Sequence, residues 1–91
     1  MAWRIEIART AQKEIDSAGH QTAQRIVRFL FHRVARLDDP RSIGEALQGS
    51  RLGEFWKYRV GDHRLIVRIE DETVTILVVR VGHRREIYRG S

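Results

Sequence analysis

The chain has no cysteine, and its 17 cationic side chains include only two lysines, Lys13 and Lys57. Without cysteine there is neither a disulfide framework nor a thiolate metal site, so packing alone must hold the fold, and the redox compartment is left open. No apolar run approaches the about 20 residues that cross a bilayer. Met1 is followed directly by strand-like Trp3-Arg4-Ile5-Glu6-Ile7, with no basic-then-apolar leader, and a soluble, cytoplasmic protein is expected. His20, His32, His63 and His83 lie far apart, with no carboxylate–histidine pair at metal-ligand spacing. A phosphate-cradling glycine loop and a Gly-x-Ser-x-Gly elbow are also missing. Neither a metal nor a cofactor is therefore expected.

What is present is charge. The 91 residues carry a formal net charge of +5, which favours an anionic partner, either a nucleic acid or an acidic protein. Arginine pairs with phosphate bidentately and stays charged at any accessible pH, so its excess over lysine suits nucleic-acid contact. A GC-rich genome produces the same bias. A chain of this length has room for one core, so residues 1–91 are expected to form a single domain.

Alternation of Trp3, Ile5 and Ile7 with Arg4 and Glu6 predicts a first strand with one buried face. Thr10 is positioned to cap a short helix carrying Ala11, Ile15 and Ala18 on one side and stopping at Gly19. From His20, a second helix repeats Ile26, Val27, Leu30, Phe31, Val34 and Leu37 at helical spacing until Asp38-Asp39-Pro40 ends it. The short connection predicts an antiparallel helix hairpin packed on the sheet. Residues 41–54 read as a loop with one helical turn at Glu45-Ala46-Leu47. Three strands follow, over residues 55–60, 63–70 and 73–81, joined by hairpin turns at Gly61-Asp62 and Asp71-Glu72. The last is apolar on both faces, as a strand with neighbours on both sides requires, and the first strand is free to pair beside it. The expected fold is therefore α+β: an N-terminal strand, a two-helix hairpin, then an antiparallel three-strand meander, in the order β-α-α-β-β-β.

Strand alternation puts Lys57 and Arg59 on one face and Trp56, Tyr58 and Val60 on the other. In the next strand Arg64, Ile66 and Arg68 oppose the apolar Leu65, Val67 and Ile69. Pairing across Gly61-Asp62 brings Arg59 and Arg64 together on the face away from the helices, where like charges oppose folding. After Gly82 the chain carries Arg84, Arg85 and Tyr88, and a turn there can close Arg84 and Tyr88 over the same basic face.

Three motifs, Trp56-Lys57-Tyr58-Arg59-Val60, Gly61-Asp62-His63-Arg64 and Gly82-His83-Arg84-Arg85-Glu86-Ile87-Tyr88, resemble in order and spacing the RelE/ParE superfamily of toxin–antitoxin toxins, closest to the RelE branch. The resemblance covers nearly the whole chain. It implies a ribosome-dependent mRNA endonuclease that cleaves in the A site by attack of the RNA 2′-hydroxyl on the adjacent phosphate, without a metal. Tyr88 is then base or nucleobase stacker, Arg64 stabilises the phosphorane, Arg84 supplies acid or further charge, and Lys57 and Arg59 hold the scissile phosphate. Arg68, His63 and Arg85 would contact substrate. His63 stands where the family more often has tyrosine, which leaves it as a base stacker or a plain turn residue. Arg59 stands where some ribosome-dependent members carry a second lysine, so proton transfer at that position is in doubt. The implied partners are an acidic antitoxin, the ribosome and mRNA, with DNA reached only through the antitoxin complex and no membrane. The same fold admits a ParE-like DNA gyrase poison, or an inactive member that only binds its antitoxin.

Overall fold

The computed structural model describes residues 2–47 and 55–83. Its elements are β1 (Arg4–Ile7), α1 (Arg9–Ser17), α2 (His20–His32), β2 (Glu45–Ala46), β3 (Phe55–Val60), β4 (His63–Glu70) and β5 (Thr75–His83). The sheet runs β1-β5-β4-β3-β2. β1 lies parallel to β5, with Ile5 opposite Ile76 and Ile7 opposite Val78, and every other pair is antiparallel. The expected α+β order holds, with one short strand, β2, added ahead of the meander. No described helix is long and apolar enough to cross a membrane.

The core lies between the helix hairpin and one face of the sheet. Ala11 and Ile15 of α1 and Ile26 and Leu30 of α2 are fully buried against Tyr58, Leu65, Val67, Ile76 and Val78. Each of the larger side chains contributes about 1.5–3 kcal/mol by leaving water. The buried seam of α2 is Ile26 and Leu30, continued one turn further by Val34 just beyond the helix. Val27 and Phe31, read from periodicity as core, are exposed. Phe29 packs edge-on to Tyr58 at 5.7 Å instead.

Both helix ends differ from expectation for identifiable reasons. α1 is capped by Ala8 with no side-chain hydrogen bond, one residue before Arg9, and Thr10 lies inside the helix. Ala8 donates its N–H to the Val78 carbonyl at 2.9 Å while its own carbonyl accepts from Gln12, so the residue that follows β1 is both tied to β5 and the helix cap. α2 stops at His32, short of Leu37, and a 3₁₀ turn covers Val34–Arg36. The Trp3 N–H takes the Ala35 carbonyl at 2.7 Å, removing an acceptor that a longer helix would use internally.

Glu45-Ala46-Leu47 do not form the expected helical turn, and residues 48–54 of the expected loop lie outside the described residues. A 3₁₀ turn spans Pro40–Ser42, and Glu45 and Ala46 then pair with Lys57 and Trp56 of β3. The anchors are the Trp56 Nε1–H donating to the Ile43 carbonyl at 2.7 Å and the Tyr58 hydroxyl donating to the Pro40 carbonyl. Burial pushes the Tyr58 phenol well above its ordinary range, with the Arg41 charge opposing, so it remains a donor. Replacing Tyr58 by phenylalanine should lower stability by about 1–3 kcal/mol, since the Pro40 carbonyl then has no partner in a buried setting; urea unfolding measures it. The last expected hairpin is also longer than two residues. A 3₁₀ turn over Asp71–Thr73 leads into Val74 in left-handed backbone, φ 50°, and β5 begins at Thr75. Arg41 clamps this turn with two 3.0 Å hydrogen bonds to Asp71, whose carboxyl it holds below the usual range.

Candidate active site

Two helices on one face leave the other face of the sheet to the charged halves of β3 and β4. Arg59 stands directly opposite Arg64, Lys57 opposite Ile66, and Phe55 opposite Arg68. Lys57, Arg59, Arg64 and Arg68 therefore share a face, as alternation from the Gly61-Asp62 turn requires. Across an antiparallel pair the Cβ atoms of opposed residues lie about 4.5–5.5 Å apart, and like charges there repel.

Arg64 is the most deeply placed of the four. It is 8% exposed, whereas Arg59 is open to solvent, and its other neighbour in the sheet is Gly82 of β5. Among the described residues, no carboxylate lies within ion-pair distance of Arg59 or Arg64. Lys57 has Glu45 at 4.0 Å, and Arg68 has Glu70 at 3.8 Å along its own strand. Burying a cation that has no counter-ion among the described residues and placing a second one opposite it both cost stability. The arrangement suits a ligand that brings its own negative charge.

His63 is not on this face. It is the first residue of β4, on the helix side, paired with His83 of β5 and edge-on to it, with ring centroids 5.9 Å apart and planes at 79°. The two rings stand between a cavity of about 300 Å³, which Lys13, Ser17 and Arg80 help to line, and one of about 140 Å³ bordered by Thr22, Arg25 and Asp62. Sequence reading took His63 and His83 separately, because the β4–β5 register that joins them contains a bulge: Val67 pairs with Val78 but Ile66 with Arg80, so Val79 is an extra residue. Tyr58 is buried in the core with its hydroxyl committed to Pro40, and only Tyr88 remains as a candidate phenol. Arg84, Arg85 and Tyr88 lie outside the described residues. Among the described residues no group of three or more His, Asp or Glu side chains is placed to hold a metal ion.

Comparison with known proteins agrees with this architecture. The family model described as ParE toxin of type II toxin–antitoxin system, parDE, matches residues 5–88. Toxin RelG of Mycobacterium tuberculosis (strain ATCC 25618 / H37Rv) is 32% identical over 89 residues, covering 98% of this chain and 99% of that protein. Among solved structures, the toxin–antitoxin complex RelBE2 of M. tuberculosis superposes with a TM-score of 0.81 at 27% identity, over 94% of this chain and 95% of that one. The isolated E. coli RelE toxin gives 0.70 at 22% identity over 96% and 92%, a likeness of fold. With the family model spanning almost the whole domain and a relative aligned end to end, the chain belongs to the RelE/ParE superfamily and is a toxin of a type II toxin–antitoxin system.

Proposed function

We propose that this toxin is a ribosome-dependent endoribonuclease that cuts mRNA in the A site. The observation that carries the reading is the opposed pair Arg59–Arg64 on the sheet face away from the helices, with Lys57 beside it. In the reaction the 2′-oxygen forms a bond to phosphorus as its proton passes to a base, and the bond to the 5′-oxygen breaks as that oxygen takes a proton. The products are a 2′,3′-cyclic phosphate and a 5′-hydroxyl. Lys57 and Arg59 hold the phosphate, and Arg64 faces the charge that grows on the phosphorane, where fixed cations in a shielded place are most effective. Arg68 steers the strand along the same face.

Tyr88 is assigned as base, with Arg84 supplying the proton for the leaving oxygen or further charge and Arg85 contacting RNA. A phenol near its ordinary pKa of about 10 is a weak base at neutral pH, so the assignment depends on cations stabilising its phenolate. His63 sits on the far side of the sheet from Arg64, so its contact with RNA would be at the strand end, not at the scissile phosphate. A domain this small offers little surface for orienting a substrate. The ribosome would supply that orientation, worth several kcal/mol of barrier.

The partner we assign is an acidic antitoxin that covers the basic face. The RelBE2 neighbour is itself a toxin–antitoxin complex, and the Pyrococcus horikoshii neighbour is a RelE–RelB complex. The site of action is the cytoplasm, where ribosomes and mRNA meet, and DNA is reached through the antitoxin. A single domain over residues 1–91 accommodates the whole reading.

A second reading, a DNA gyrase poison, draws on the ParE description of the matching family model. One experiment separates the two. The purified toxin is added to ribosomes stalled on a defined mRNA, with the same mRNA free in solution alongside. The expected result is a cut inside the A-site codon, only on the ribosome, ending in a cyclic phosphate. Intact mRNA together with gyrase-dependent double-strand breaks in plasmid DNA would favour the second reading. An inactive protein in both assays would leave antitoxin binding as its role.

A further inference from the structure

β5 outruns its parallel neighbour. The pairing with β1 ends at Ile7 opposite Val78, and the Ala8 N–H takes the Val78 carbonyl as the chain turns away into α1. Beyond that point, and past the extra residue Val79, β5 continues through Arg80, Val81, Gly82 and His83 with β4, among the described residues, as its one strand neighbour. An unpaired strand edge leaves backbone donors open and the strand free to shift.

One side chain closes this edge. Glu14, on α1, accepts the Val81 N–H at 2.8 Å through Oε1, and its carboxylate also takes the Arg80 Nε–H at 3.2–3.3 Å and lies 3.1 Å from a second Arg80 nitrogen. The Glu14 side chain is 25% exposed and that of Arg80 52%. An ion pair this open contributes little to stability on its own. The bond to the backbone N–H is of another kind: it is charge-assisted, part-buried and spans 67 residues of sequence. The next residue after Val81 is Gly82, directly opposite Arg64, and then His83, opposite His63.

We propose that Glu14 is a positioning residue for the basic face. By gripping Val81 and Arg80 it fixes the end of β5, sets Gly82 against Arg64, and holds the chain at His83, one residue before Arg84. Glu14 touches none of the cations of the face itself, so its effect reaches the reaction through β5. This role rests on the nuclease reading above.

The test compares Glu14→Ala with Glu14→Gln, whose amide oxygen still accepts from the Val81 N–H but no longer pairs with Arg80 as an ion. In cleavage on stalled ribosomes, Glu14→Ala should lower the rate at saturating toxin by about 10- to 100-fold, as a misplacement near 1 Å does, with the half-saturating concentration little changed. Glu14→Gln should stay within about threefold, because the backbone bond and not the ion pair sets the position. Hydrogen exchange followed by NMR should show the Val81 amide losing protection in Glu14→Ala and keeping it in Glu14→Gln. Wild-type cleavage at saturation in Glu14→Ala, or an equally protected Val81 amide, overturns the proposal. If Glu14→Ala does not fold, Glu14→Asp replaces it, since its carboxylate is one methylene short of Val81. If the wild type itself leaves ribosome-bound mRNA intact, the nuclease reading has failed. The Val81 amide then decides the placement of β5 alone, upheld by lost protection and overturned by retained protection.

Discussion

Replacing Arg64 by alanine should slow A-site cleavage by about 10²- to 10³-fold, the loss seen when one fixed donor to a developing oxyanion is removed. On the proposed mechanism the effect should fall on the rate at saturation, because Lys57 and Arg59 would still hold the ground-state phosphate while the charge facing the phosphorane would be gone. Arg59→Ala offers the contrasting case. Its side chain is exposed and stands directly opposite Arg64, so removing it relieves a like-charge pair and should raise stability by about 0.2–1 kcal/mol while weakening activity. Stability and activity moving in opposite directions at one position is the signature of a residue kept for function. Single-turnover cleavage on stalled ribosomes and urea unfolding of the same preparations read both quantities. Full activity in Arg64→Ala would remove the basic face from the mechanism.

The basic face was legible because strand periodicity is a strong signal when both ends are marked. The Gly61-Asp62 turn and the alternation on either side of it set β3 and β4 at their observed limits and placed Arg59 opposite Arg64. What escaped was set by contacts distant in sequence. No local pattern announces that Trp3 will take the Ala35 carbonyl and stop α2, or that Trp56 will hold Ile43 and turn residues 45–46 into a strand. Val27 and Phe31 fall on the apolar stripe of α2 yet remain exposed, because the sheet beneath reaches only as far as Ile26, Leu30 and Val34. The bulge at Val79 is likewise invisible in a run of apolar residues. It decides which residue of β5 faces Arg64, and hence how the Gly82-His83 segment meets the site.

The residues that classify the chain and those that hold it together are largely different. The motif residues Lys57, Arg59 and Arg64 share the face away from the helices, while Tyr58, between two of them, is a core residue tied to Pro40. A ParE-type and a RelE-type toxin can share such a core and differ in the cations displayed on it. Fold similarity alone therefore does not choose between gyrase and mRNA; the cleavage and gyrase assays do.

Gly44→Ala should be among the most destabilising single substitutions in the described chain. Gly44 has φ +80°, and a Cβ there would lie 2.5 Å from the Lys57 carbonyl oxygen and 2.7 Å from both Trp56 Nε1 and Tyr58 Cδ1. Two of these three are rigid: one is the backbone of β3 and one is the ring of a tyrosine fixed by burial and a hydrogen bond. The left-handed backbone costs a non-glycine residue about 1–3 kcal/mol, and overpacking of this kind a similar amount. The combined loss, about 2–6 kcal/mol, is a large share of the about 5–15 kcal/mol that holds a domain together. The same steric wedge would push β2 away from β3, breaking the pairing of Glu45 with Lys57 and the bond from Trp56 to Ile43. Activity is then lost along with stability, because Lys57 belongs to the basic face. Gly19→Ala is the control: that glycine also has positive φ, 98°, but nothing lies within 4 Å of the added Cβ, so only the backbone cost applies. Urea midpoints for the two variants should differ clearly, with Gly44→Ala the lower; equal midpoints would mean that the close approach of residue 44 to β3 does not contribute to holding the sheet edge.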